Sequence, residues 1–136
     1  MRILPHFFYL IPSLRFLQYF IHPDGSVGGE YGSRNCSLYF PSGIEIFSKT
    51  IPEAEAIAAK GSDAILNGNT PRLDSLDIRN FIPMLSSYAQ AYIHTKENYI
   101  KKSGTLPIYK KFERFWPEAG LFIRSDDSYY TIIGCS

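Results

Sequence analysis

Hydrophobic positions near the start of the chain recur at alternating gaps of four and three: Ile3, Phe7, Leu10, Leu14, Leu17 and Ile21. That spacing is helical and puts all six on one face. Pro12 starts or kinks this helix, so residues 13–21 form its most secure part. Phe16 and Phe20 widen the apolar face and predict a helix sandwiched between neighbours. A polar, glycine-rich stretch follows over 22–35, and 41–49 reads as a short helix or an irregular segment. Thr50-Ile51-Pro52-Glu53 matches a capping box, in which the Thr and Glu side chains satisfy free amides at a helix start. Ala54, Ile57, Ala58, Ala64 and Ile65 carry that helix on to a stop at Asn67-Gly68. After the connector "GNTPRLDS", one apolar stripe runs through Ile78, Phe81, Ile82, Leu85, Tyr88, Ala89, Tyr92 and Ile93. This predicts a helix of about four turns with Asp77 at its cap and Tyr88 and Tyr92 in the core.

Beyond Gly104 the period changes to two. "FERFW", "GLFIRS" and "SYYTIIGC" read as short strands, with the turn between the last two at Ser125-Asp126-Asp127-Ser128. The order of helices first and strands last predicts an α+β chain, helical over 1–104 and antiparallel β over 105–136. Three strands make an incomplete sheet, and the helices carry broader apolar faces than they can bury among themselves. The expectation is a piece of a larger architecture, or a protomer that hides these faces by self-association.

Composition changes this picture little. A length of 136 residues suits one ordinary domain, and a net charge of +1 gives no reason to expect a nucleic acid or an anionic membrane. Lys101, Lys102, Lys110 and Lys111 are too few for a nucleic-acid stripe and read as solvated surface. His6, Arg15, Gln18 and two prolines interrupt the apolar N-terminal run, so no membrane span or signal peptide is expected. Compartment is left open. Cys36 and Cys135 have no metal or redox spacing, and His6, His22 and His94 share no metal-ligand spacing. Neither a metal nor a cofactor is expected.

The candidate chemistry lies in "HPDGSVGGEYGSRN", residues 22–35. Pro23-Asp24-Gly25 signals a turn, and Gly25, Gly28, Gly29 and Gly32 permit close backbone approach. No strand precedes these glycines and no lysine stands in the phosphate-loop position, which excludes a nucleotide fingerprint. Asp24 and Glu30 make a carboxylate pair of the kind used in glycoside hydrolysis. Alternatively, Tyr31 moves a proton while Arg34 and Asn35 neutralise a substrate carboxylate, which is what elimination on a uronate requires. Each residue also has a plain structural reading: Asp24 in a turn, Glu30 paired with Arg34, Tyr31 in the core, Asn35 as a helix cap.

"DGSVGGEYGSRN" with the following "LYFPSGIEIF" resembles a segment of large bacterial proteins related to the heparinase II/III-like group. "PEAGLFIRSDDSYYTIIG" resembles the start of that group's β-sandwich. The resemblance spans about residues 10–136. It implies the end of an α/α toroid followed by the first strands of a sandwich. It also implies polysaccharide-lyase chemistry, a beta-elimination on uronic-acid polysaccharide. Tyr31, Arg34 and Asn35 would then serve as catalytic residues, with Asp24, Glu30 and His22 at the substrate. The partner implied is an acidic polysaccharide. A complete set of lyase His and Tyr residues is not found at matching positions. A non-catalytic carbohydrate-binding or assembly module, and a glycoside hydrolase using Asp24 and Glu30, stay as alternatives.

Overall fold

The computed structural model describes residues 7–29, 31, 36–95 and 105–134. Four helices come first: α1 (Phe7–Leu17), α2 (Ser42–Ser48), α3 (Pro52–Leu66) and α4 (Ile78–Thr95). Three antiparallel strands follow in the order β1 (Phe112–Trp116), β2 (Leu121–Asp126), β3 (Tyr129–Gly134). The chain is therefore α+β, with helices before strands as its periodicity predicts.

The helical core gathers Leu14, Ile21, Ile44, Ile51, Ile57 and Leu106 among its buried side chains. It is built by α1, α2, α3 and the segment just before β1. Pro12 does not start α1 but lies inside it, on an exposed face. The helix ends earlier than its apolar period, at Leu17. A 3-10 turn (Gln18–Phe20) follows, and Ile21 leaves the helix to pair in extended form with Val27. At the start of α3 the capping box does not form. Pro52 takes the first turn, Thr50 Oγ1 donates to the Phe47 carbonyl at 3.3 Å, and Glu53 accepts from Arg15 Nε at 2.8 Å. That Arg15 hydrogen bond is the main reason the Glu53 carboxyl sits below its usual range. At the other end, Asn69 N donates to Ala64 O and Gly68 N to Ile65 O, with Gly68 at φ 73°. This double closure satisfies carbonyls that the helix leaves free.

Asp77 caps α4 as expected, accepting from the Arg79 and Asn80 amides at 2.9 and 3.2 Å. The apolar stripe of α4 is another matter. Its buried residues are Met84, Ser87 and Ala91, one narrow face against α2, where Ser87 Oγ accepts from Ser42 N at 3.1 Å. Ile78, Ile82, Leu85, Tyr92 and Ile93 are exposed. The expected core placement thus fails for Tyr92, while Tyr88 is half-buried. Periodicity identifies the helix but not its packed face, since none of Met84, Ser87 and Ala91 belongs to the apolar stripe.

In the sheet, pairing puts Arg114 opposite Ile123, Phe112 opposite Ser125 and Trp116 opposite Leu121. With two-residue alternation, Phe112, Arg114 and Trp116 share the inner face with fully buried Ile123. That face meets the 3-10 turn after α1. Tyr130 Oη donates to the Tyr19 carbonyl at 2.7 Å, and the Tyr19 ring lies edge-on to Phe112 and Trp116 at 5.3 and 4.9 Å. The β2–β3 turn is closed at the Asp126–Tyr129 pair, and Lys111 bridges Asp126 and Asp127 across it.

Candidate functional site

The glycine-rich stretch begins as a miniature hairpin. His22 O accepts from Gly25 N at 2.8 Å, and His22 N donates to Ser26 O at 2.9 Å, around Pro23-Asp24. Proline at the second turn position and aspartate at the third suit this bend. Two glycines have steric reasons to be there. A Cβ on Gly25 (φ 87°) would stand 2.7 Å from the Ala64 Cβ and 2.9 Å from the Lys60 carbonyl oxygen of α3. A Cβ on Gly28 (φ 74°) would overlap the Cys36 carbonyl oxygen. So the backbone freedom lets the loop press against α3 and against its own return path. Asn69, whose amide helps to close α3, adds a side-chain bond to the Asp24 carbonyl at 2.8 Å.

Inside this frame four side chains form a directional chain. Asp24 Oδ1 accepts from the Ser26 amide at 2.9 Å and from the Ser26 hydroxyl at 2.7 Å. Having given its one proton to Asp24, Ser26 Oγ accepts from His22 Nδ1 at 2.9 Å. His22 Nε2 is then the unprotonated nitrogen, and it accepts from the Tyr31 hydroxyl at 3.1 Å. The carboxylate thus sets the imidazole tautomer through a serine.

The electrostatics agree with this assignment. Burial holds the His22 pKa below its ordinary 6.5, only partly opposed by Asp24, so the ring is neutral near pH 7. Burial raises Asp24, but the two Ser26 hydrogen bonds and His22 outweigh it, and the net shift is downward. Tyr31 is pushed up to about 12, chiefly by burial against an opposing backbone bond at Gly28. Its hydroxyl is therefore protonated at rest. At rest a half-buried phenol against a neutral imidazole of this tautomer has one path open to its proton, onto the bare Nε2, and the return path opens once the ring is charged.

Of the six residues singled out in the sequence, the structure brings three together: His22, Asp24 and Tyr31. Glu30, Arg34 and Asn35 lie outside the described residues. His22 stands behind Tyr31 with both ring nitrogens engaged, rather than reaching for a ligand itself. Asp24 is likewise turned onto Ser26 as the anchor of the chain. Ser26 was not anticipated, although a serine two residues after an Asx turn is a detectable signal.

A second feature lies three ring contacts away, through Phe20 (5.8 Å from Tyr31), Phe16 (4.8 Å) and Trp116 (5.5 Å). It is a groove of about 800 Å³ between α1 and β1, whose lining includes Arg15, Tyr19, Lys110, Arg114 and Trp116. None of His22, Asp24 and Tyr31 lines it. The sequence reads Lys110 only as solvated surface and Arg15 only as a break in an apolar run, although "FERFW" at period two does set an arginine between two aromatics. Among the described residues no cluster of three or more His, Cys, Asp or Glu could hold a metal, and no helix is long and apolar enough to cross a membrane. Comparison with known proteins finds no matching family, no similar curated protein and no similar solved structure.

Proposed function

We propose that this chain is a carbohydrate-active protein of polysaccharide-lyase type, acting on uronic-acid-containing polysaccharide by proton abstraction and beta-elimination. The observation that carries the reading is the 3.1 Å contact between the Tyr31 hydroxyl and His22 Nε2, with the tautomer set through Ser26 by Asp24.

In this mechanism the Tyr31 oxygen takes the proton alpha to the uronate carboxyl as its own proton passes to His22 Nε2. Arg34 and Asn35 meet the negative charge that spreads onto the carboxylate, the guanidinium by its planar fork and the amide as a neutral donor. The glycosidic oxygen then leaves from the beta carbon with a proton from Tyr31, which recovers one from His22. The tyrosine and histidine end as they began, and the substrate has become an unsaturated sugar and an alcohol. A neutral histidine suits the accepting half and a protonated phenol the donating half.

The architecture belongs to the same proposal: an end of an α/α toroid followed by the start of a sandwich. The exposed apolar stripe of α4 fits a surface covered by more chain or by a second copy. The second reading, a binding module without chemistry, is favoured by the cationic, aromatic groove, which needs no proton transfer to hold a sugar. Incubation with a panel of uronate polymers separates the two. A rise in ultraviolet absorbance from the unsaturated product, lost in Tyr31→Phe, is expected; binding without that product would leave the binding module.

A further inference from the structure

We propose that the groove between α1 and the inner face of β1 is a subsite for the carboxylate of an acidic sugar, with Arg114 as its clamp. The choice of a uronate as the sugar rests on the lyase-type reading; the anion site itself does not.

Arg114 is exposed, yet alternation puts it on the inner side of the edge strand β1, between the half-buried Phe112 and Trp116. Its guanidinium lies over the Trp116 and Tyr19 rings at 4.8 and 5.2 Å, and Nη1 donates to Tyr19 Oη at 2.8 Å. Two aromatic faces and one hydrogen bond hold the planar group in place. Among the described residues it has no carboxylate partner, so most of its five donors remain for something else.

The surrounding charge points the same way. Lys110 lines the same groove and forms no ion pair among the described residues, while Arg15 is already matched by Glu53. Three cations against one carboxylate leave the lining positive. A volume of about 800 Å³ is of ligand size, enough for more than a single sugar ring. Its aromatic walls, Phe16, Tyr19 and Trp116, offer the flat apolar surface on which the C–H face of a pyranose packs. A held guanidinium, a free ammonium and aromatic walls recognise a carboxylated ring better than a bare anion or a neutral sugar.

The test is calorimetric titration of the full chain with a galacturonate tetramer and with its methyl ester. The acid should bind, and the ester should bind at least about tenfold more weakly, as should the acid to Arg114→Ala, because a charge-assisted pair is lost. Lys110→Gln, at an exposed unpaired position, should weaken binding by roughly a few-fold without touching the fold. Equal affinity for acid and ester, unchanged affinity in both Arg114→Ala and Lys110→Gln, or no binding at all would overturn the subsite. Absence of unsaturated product with Arg114-dependent binding intact would sink the lyase reading and leave the subsite standing.

Discussion

Asn69 Nδ2 donates to the Asp24 carbonyl oxygen at 2.8 Å, so the residue that closes α3 also fastens the turn that opens the glycine-rich loop. The hydrogen-bonded pair of His22 and Tyr31 is thereby referred to α3, the helix with the most buried residues among those described. Asn69→Ala should cost about 0.5–1.5 kcal/mol, the usual net value of one hydrogen bond. Under the proposed function it should also lower the elimination rate while leaving affinity for the acidic tetramer intact. Denaturant melts paired with titration measure the two effects separately; a stability loss with an unaltered rate would uncouple the turn from the site.

Ser26 carries the link between carboxylate and imidazole. In Ser26→Ala, Nδ1 loses its acceptor and the ring is free to take the other tautomer. A loss of one such bond corresponds to roughly a tenfold fall in rate. The fall should appear in kcat rather than KM, since the Ser26 hydroxyl is taken up by Asp24 and His22.

The His22 shift has a consequence for stability. Its folded pKa lies below the unfolded 6.5, so the unfolded chain binds the proton first as pH drops. The contribution is complete above about pH 6.5 and is lost as pH falls through the lower folded value. Melting temperature should therefore decline over that window in the natural protein and decline less in His22→Gln. Identical profiles would mean that the imidazole is not buried in its neutral form.

Two isoleucines on successive helices should differ sharply. Ile57 of α3 is wholly buried, and Ile57→Ala should cost about 2–5 kcal/mol through lost burial and the cavity left behind. Ile82 of α4 is 55% exposed, and in the uncovered, monomeric chain Ile82→Ser should stay within about 0.5 kcal/mol of the natural sequence. A large loss at Ile82 would place a covering surface over α4, and its concentration dependence would identify a second copy.

What the sequence could reveal follows from the range of each interaction. The three strands and the turn near Asp126-Asp127 were legible because period and turn chemistry are local. So were Asp77 at the start of α4 and Gly68 at the end of α3. The capping box at Thr50 was misread because Glu53 has a stronger partner in Arg15, 38 residues away. Tyr92 was misread because an apolar stripe does not say which neighbours exist to cover it. The role of His22 depends on a bond to Tyr31 across a hairpin, which spacing alone does not disclose. Arg114 was passed over because the ring that holds it, Tyr19, lies 95 residues earlier in the chain.

The most direct measurement is the imidazole nitrogen spectrum of His22 in the isotopically labelled protein near neutral pH. The expected result is a proton on Nδ1 and a bare, hydrogen-bonded Nε2 whose resonance shifts when Tyr31 is replaced by Phe. A proton on Nε2, or a resonance indifferent to Tyr31→Phe, would contradict the oriented tyrosine–histidine pair on which the proposed chemistry depends.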